Sequence, residues 1–510
     1  GNDILAETNS YELVISDKKD LSGLPNELIE TAAADAKSKG KAGKWVFTLS
    51  NSSVMPFLQY SSNRKLRQEI WNAYQMRANN GNDKDNKSLA IKIANLRGEK
   101  ARLLGYATHA DYVLEKSMAK NPETANKLLN DLWIPALNMA NKEAADIQKM
   151  MQKEGINEPV QPYDWRYYTE KIRKERFDLD EQEMKPYFSL EKTREGVFTV
   201  CKNLYGLQFK QLNNVPKYHE DVTVWEVTEA NGSHVGILYM DFHPRTSKRG
   251  GAWMTSYRTQ KMENGKRVAP VVSIVCNFTK PTENAPALLT FDEVSTFFHE
   301  FGHALHGLLS NVTYESVAGT SVPRDFVELP SQIMENWAAE PEVMKMYAKH
   351  YKTGEIIPDA LIEKMQKAGT FDQGFVTTEY LAASILDMAY HTQKADITSD
   401  AETFEKEAMN KINLPSTIIP RYRSTYFNHI FAGGYSAGYY SYIWSGVLDT
   451  DAFEVFKING LFNSDYAKSF RKNVLEKGGT EDPMELYKSF KGAEPSVEPL
   501  LRKRGLDQVK

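Results

Sequence analysis

His299-Glu300-Phe301-Gly302-His303, followed by Glu328 at the end of Asp325-Phe326-Val327-Glu328, sets two imidazoles and two carboxylates where one metal ion can be held. Residues four apart on a helix project from one face, so His299 and His303 can reach a single ion while Glu300 points toward the water that completes its shell. Glu328 supplies the third ligand. Upstream, Thr290-Phe291-Asp292-Glu293 reads as a capping box, with Thr290 as N-cap and Glu293 three residues on. The helix it opens has Val294, Phe297, Phe298, Phe301 and Leu305 to bury.

His306 shares nearly the same face as His299, but seven residues of 1.5 Å rise separate the two by roughly 10 Å, too far for both to bind one ion. It is read as a residue supporting the ligands or packing the core. A third histidine ten residues after the first is excluded because position 309 is Leu, which leaves a carboxylate as third ligand.

The chain has 510 residues, 41% of them hydrophobic and 25% charged, enough for a large globular core. A formal net charge of −4 gives no electrostatic reason to bind nucleic acid or an anionic membrane. The basic run Lys171-Ile172-Arg173-Lys174-Glu175-Arg176 reads as a solvated helix face. Cys201 and Cys276 form neither a disulfide framework nor a C-x-x-C pair, which excludes redox chemistry. No apolar run approaches the ~18 residues of a membrane span, and residues 1–7 lack the basic and apolar regions of an export signal. Gly1 in place of an initiator Met points to a processed or trimmed product. The expected location is the cytoplasm, or the periplasm if an export segment has been removed.

Residues from about 26 to 210 read as helices without a strand cluster. Ser88 to Gly105 carries Leu89, Ile93, Leu96, Leu103 and Leu104 at helical spacing, and Asn121-Pro122-Glu123 starts a long helix that reaches Gly155 with a kink at Pro135. The character changes at Val222–Val227 and Val235–Met240, which flank Asn231-Gly232 as a hairpin, and Val271–Cys276 is a third strand. This small sheet is either structural or offers an edge strand to an extended peptide. No Gly/Pro-rich linker marks an independent module. The expectation is one compact body with a cleft, in which 1–210 form a helical wall or lid and 211–510 the catalytic region.

The segment from His429 to Tyr442, His-Ile-Phe-Ala-Gly-Gly-Tyr-Ser-Ala-Gly-Tyr-Tyr-Ser-Tyr, reads either as a buried aromatic patch or as a mobile loop that closes on substrate. Together with Phe298–His306, Gly319-Thr320 and Pro323–Gln332, it resembles the thimet oligopeptidase family of zinc peptidases, within the gluzincins. The resemblance runs from about Leu21 to the end and includes Gly250–Met254, Arg421–Ser424 and Pro499–Leu506. Pro-Arg-Asp-Phe-Val-Glu around Glu328 is nearer to the peptidyl-dipeptidase (dipeptidyl carboxypeptidase) branch than to the oligopeptidase A branch. Relatives in that branch carry a longer helical N-terminal part, so some of the lid is expected to be missing here.

What the resemblance implies is a mainly α, multi-helical ellipsoid with a deep substrate channel, one Zn2+ on its floor, and a small β-sheet beside the zinc helix. Its substrates are short oligopeptides, with neither nucleic acid nor membrane as partner, and a monomer is expected. Zinc is held by His299, His303 and Glu328, and Glu300 is the general base. Tyr442 is the oxyanion donor, and Tyr435 and His429 bind the substrate backbone or assist. Release of C-terminal dipeptides is the leading activity, with an internal-cleaving oligopeptidase as the nearest alternative and a non-catalytic peptide-binding protein as the third. Asp325 and Glu335 are candidate acceptors for the ligating imidazoles, and Arg421, Arg423 and Arg245 are candidates for a substrate carboxylate.

Overall fold

The structure is a computed structural model that describes residues 1–507. It is mostly helical, 55% helix against 9% strand, as the sequence leads one to expect. Among the described residues no helix is long and apolar enough to cross a membrane. Contacts divide the chain into two units: Gly1–Asp180 with Lys364–Tyr440 and the residues from Arg504, and Glu181–Glu363 with Ser441–Lys503. The second unit therefore takes in residues on both sides of position 210, where the sequence changes character. The helices that carry or flank the residues singled out above are α1 (Phe291–Leu308), α2 (Leu329–Ala339), α3 (Gln373–His391) and α4 (Ser441–Asn459).

In the second unit five strands, β1 (Gln208–Leu212), β2 (Thr223–Thr228), β3 (His234–Asp241), β4 (Trp253–Arg258) and β5 (Val271–Val275), form one mixed sheet in the order β1-β2-β3-β5-β4. The Asn231-Gly232 hairpin joins β2 and β3, with Gly232 at φ 83° in the left-handed region such a turn needs. Only the β3–β5 pair is parallel. The residues β4 and β1 add to the sheet were not legible as strands, because neither shows a clean two-residue alternation; β4 alternates poorly and stays largely outside the core.

The capping box at Thr290 forms as read: Thr290 Oγ1 accepts from Glu293 N at 3.1 Å, and the Glu293 carboxylate accepts from Thr290 N at 3.0 Å. Val294, Phe297, Phe298 and Phe301 are fully buried and Leu305 nearly so. Phe297 meets Phe242 edge-on at 4.9 Å, and Phe301 meets Phe209 at 5.7 Å, while Phe209 stacks on Phe198 at 4.1 Å. These rings lock α1 to the sheet and to the helix Leu190–Tyr205.

The first unit corrects two readings. A short strand pair, Leu13–Ile15 with Trp45–Phe47, brings a strand into the stretch from about 26 to 210 that reads as helices. The helix Pro122–Lys153 begins at its Asn121 cap and contains Pro135, as expected. The helix Lys87–Leu103 exposes Leu89, Leu96 and Leu103 (47%, 54% and 81%) and buries Ala90, Ala94, Gly98 and Ala101 instead. Periodicity finds an apolar stripe but does not say which face neighbours approach, and small side chains allow the closer approach. Asn95 on this helix exchanges two hydrogen bonds with the Ile397 backbone, at 3.0 and 2.8 Å.

Gly374, in the first turn of α3, lets the helix Pro122–Lys153 come so close that a Cβ there would sit 2.4 Å from Ala140 N. At this crossing Glu143 accepts from the backbone N–H of Gly374 (3.0 Å) and Phe375 (2.7 Å), and Asp372 accepts from Trp165 Nε1 at 2.9 Å. Burial, joined at Glu143 by the charge of Asp372, pushes both carboxyls above the ordinary range near ~4. The folded protein thus holds protons that the unfolded chain gives up. That contribution to stability is complete below the unfolded pKa and is lost as pH rises through the folded values. Glu143→Gln, which keeps an acceptor and removes the ionisation, should gain in melting temperature relative to the unsubstituted protein as the pH is raised from about 5 to about 8. A difference that stays constant across that range would show that the pair does not titrate there.

Candidate active site

The His299, His303 and Glu328 side chains converge in the second unit, each offering one ligand atom within 4.8 Å of the others. Glu328 Oε2 lies 3.2 Å from His299 Nε2 and 3.1 Å from His303 Nε2. Ligands about 2.0–2.1 Å from a tetrahedral zinc stand ~3.3 Å from one another, so both distances from Glu328 are close to the spacing that an ion requires. The two imidazole rings have centroids 5.0 Å apart and planes turned by 84°.

Glu328 reaches this point because of where α2 begins. It follows directly on the short helix Arg324–Val327 and caps α2, whose first turn is pressed onto α1 at Gly302. A Cβ on Gly302 would lie 2.1 Å from Pro330 O and 2.5 Å from Ser331 Cα, distances no side chain tolerates. Ser331 then fixes the carboxylate, its hydroxyl donating to Glu328 Oε2 at 2.9 Å. One face of α2 continues the work. Gln332 Nε2 donates to the carbonyl of Tyr442 at 3.0 Å, and Glu335 Oε1 accepts from His299 Nδ1 at 2.6 Å. Of the two acceptors considered from sequence, Glu335 is the one at His299. Its bond keeps the proton on Nδ1 and leaves Nε2 as the lone pair facing the site.

Burial is the largest influence on His299 and opposes its charged form, but Glu328 and Glu335 more than offset it and hold the imidazole pKa well above its usual value. For Glu328 burial again acts first, raising the pKa, and the charges and hydrogen bonds of His303 and His299 drive it well below the carboxylate range. Two imidazoles set against one buried carboxylate are a donor set that suits a divalent ion. Glu300 is 4% exposed, burial pushes its pKa up, and its Oε2 has no hydrogen-bond partner among the described residues. A buried carboxylate oxygen left open beside three converging ligands fits a water held between it and a metal. His306 is fully buried and kept neutral, with its pKa pushed down by burial to about 3.

Tyr442 sits in the first turn of α4, in the same unit as the ligands, tied to α2 through Gln332. Asn336 Nδ2 to Asp449 Oδ1 (2.9 Å) and Ser445 Oγ to Asp325 O (2.7 Å) fasten α4 to the same elements. His429 and Tyr435 belong to the first unit, where their rings lie 5.8 Å apart. The three arginines considered for a substrate carboxylate are each engaged by an acidic side chain. Arg245 forks onto Asp241 at 2.9 and 2.8 Å, Arg421 meets Glu379 at 2.9 Å, and Arg423 meets Glu405 at 2.7 Å. Ser331 and Gln332 were not singled out from sequence, although their three- and four-residue spacing from Glu328 was there to be read.

Residues 57–506 match the model of peptidase family M3. The chain belongs to peptidase family M3. It is a metallopeptidase, and the family implies a metal at the group formed by His299, His303 and Glu328. The dipeptidyl carboxypeptidase of Escherichia coli (strain K12) is 39% identical over 508 residues, 99% of this chain and 74% of that protein. Oligopeptidase A of the same organism is 37% identical over 517 residues, 99% of this chain and 75% of that one. Among solved structures, PZ peptidase A with an inhibitor superposes with a TM-score of 0.51 at 16% identity, covering 95% of this chain and 74% of its own. Pyrococcus furiosus carboxypeptidase superposes with a TM-score of 0.50 at 14% identity, over 96% and 86%; both likenesses are of fold alone.

Gly302→Ala should drive α2 away from α1 and carry Glu328 with it. The expected result is a folded protein whose zinc affinity, measured by competition with a chelator, falls by at least the 10–100-fold typical of lost ligand support; unchanged affinity would mean that the helices separate without moving the carboxylate.

Proposed function

We propose that this metallopeptidase is a zinc peptidyl-dipeptidase that removes C-terminal dipeptides from short oligopeptides. The observation that carries the zinc chemistry is the convergence of His299 Nε2, His303 Nε2 and Glu328 Oε2 beside the open carboxylate of Glu300. The choice of dipeptide release is supported by the 39% identity to a protein named dipeptidyl carboxypeptidase. Internal cleavage of oligopeptides is the second reading, supported by 37% identity to oligopeptidase A over the same span.

His299, His303 and Glu328 would hold the ion, with Glu335 orienting His299 and Ser331 orienting Glu328. A zinc ion bound there supplies a Lewis acid and lowers the pKa of its water from 15.7 toward about 7. Glu300 takes a proton from the attacking water. Its burial, which raises its own pKa, suits it to hold that proton and then pass it to the leaving amine. The Tyr442 hydroxyl donates to the oxygen that becomes negative as the carbonyl is attacked, and Gln332 keeps the Tyr442 backbone in register with the ligand helix. His429 and Tyr435 bind the peptide backbone.

Glu300→Gln should keep its metal and lose turnover, and appreciable residual hydrolysis would remove Glu300 as the base. Tyr442→Phe should lose roughly 10²–10³ in kcat with metal content unchanged; turnover equal to the unsubstituted protein would take Tyr442 out of the reaction. Mass spectrometry of the products from one hexapeptide, its C-terminus free or amidated, decides the cleavage mode. Chelator-sensitive release of a dipeptide from the free form alone is the expected outcome, whereas internal cuts indifferent to amidation would transfer the protein to the oligopeptidase reading.

A further inference from the structure

The segment from Ile430, in the short helix Asn428–Phe431, through the loop to Tyr439 is held in the first unit by a buried polar network on which none of the chemistry above draws. Asp387, near the end of α3, is fully buried and accepts from three consecutive backbone N–H groups: Ala437 to Oδ1 at 2.8 Å, and Gly438 and Tyr439 to Oδ2 at 2.9 Å each. Its Oδ1 also meets His391 Nδ1 at 2.8 Å. His391 Nε2 lies 3.1 Å from Arg97 Nη1, and since a guanidinium only donates, Nε2 accepts and the proton sits on Nδ1, where it donates to Asp387. Arg97 also donates to the Ile430 carbonyl at 2.7 Å, at the beginning of the same loop. Between these two clamps, His109 Nε2 lies 2.9 Å from Ser436 Oγ.

Helix Lys87–Leu103, the helix beginning at His109, and α3 each contribute one or two side chains, and all of them close on the ten residues 430–439. Ala437 is held at φ 50°, a left-handed conformation that an alanine adopts only when its surroundings require it, and it is the first of the three donors to Asp387. Three successive N–H groups wrapped around one carboxylate fix both the path of the chain and its orientation. The two candidate substrate-binding side chains sit directly beside the clamps: His429 precedes the first residue held by Arg97, and Tyr435 precedes Ser436. Tyr435 N also donates to His429 O at 2.9 Å, which ties the two backbones together.

We propose that Asp387, with His391, Arg97 and His109, is a positioning centre that holds residues 430–439 in the one conformation that presents His429 and Tyr435 to a bound peptide. The inference rests on the peptidase reading in which those two side chains meet substrate. Asp387→Asn replaces one acceptor oxygen by a donor, so the loop N–H groups lose part of their anchor while side-chain size is kept.

The test is a double-mutant cycle on the zinc-loaded full chain, with the free hexapeptide as substrate: Asp387→Asn, Tyr435→Phe and the pair, with metal content and melting temperature measured for each. The expected result is that Asp387→Asn loses on the order of tenfold to a hundredfold in kcat/KM at unchanged metal content. Tyr435→Phe should then cost far less in the Asp387→Asn background than in the unsubstituted one, because a side chain already displaced has little left to lose. Losses that multiply independently would overturn the positioning role while leaving the peptidase reading intact. A Tyr435→Phe enzyme with full activity would instead overturn the reading of Tyr435, and the proposal with it. If Asp387→Asn does not fold, Ser436→Ala, which cuts only the His109 link, carries the same cycle with a smaller loss, and activity equal to the unsubstituted protein in that variant would overturn the proposal.

Discussion

The contact on which the metal group depends is between a glycine and a backbone. Without a Cβ at 302, α1 admits the first turn of α2 to a distance at which Pro330 O would stand 2.1 Å from that atom. Glu328 immediately precedes this turn, so the approach of the helices and the approach of the carboxylate to the imidazoles are one event. The other contributions of α2 come from helical geometry. Positions 328, 331, 332 and 335 lie at offsets of three, four and seven, on one face, and that face supplies a ligand, the hydroxyl that fixes it, the amide that reaches Tyr442 and the carboxylate that orients His299.

The electrostatics arise from the same crowding. Glu300, Glu328 and Glu335 bring three carboxylates to two imidazoles in a place largely removed from water, where unpaired charge is costly. The two imidazoles face that charge, and a divalent cation would balance it because it can satisfy both histidines and the carboxylate at once. Glu300 stands apart from this balance. Its pKa is raised by burial first, and the histidine charges offset that only in part.

The parts of this arrangement that were legible in the sequence are those written in short-range pattern. The capping box, the histidines four apart, the Asn-Gly hairpin and the Asn121 cap each depend on a few neighbouring residues, and each forms. Glu335 was within reach too, because its seven-residue offset from Glu328 is a helical spacing. Where the reading went wrong, it lacked a partner. The leucines at 89, 96 and 103 mark an apolar stripe on their helix, yet the buried side is the one lined by Ala90, Ala94, Gly98 and Ala101, a choice made by the neighbours and not by the helix itself. Gly302 within the motif gave no sign of its role, since a glycine in a helix announces only a cost until the element lying against it is known. The Asp387 network was invisible for the same reason: Arg97, His109, Asp387, His391 and residues 430–439 come from three distant stretches, and no spacing connects them.

Two frameworks therefore secure the groups assigned to substrate. Tyr442 is set by Gln332 and by the bonds that fasten α4 to Asp325 and Asn336, all within the unit that holds the ligands. His429 and Tyr435 are set by Asp387, His391, Arg97 and His109, within the other unit. The covalent path from one to the other is short, because only Tyr440 and Ser441 separate the last residue clamped by Asp387 from Tyr442. A glycine-rich stretch with so many permissive residues would otherwise be free to wander, at an entropic cost that a bound peptide would have to offset each time. Tying its backbone to a buried carboxylate moves that cost into folding, so the groups assigned to substrate in the proposed function would be ordered before it arrives.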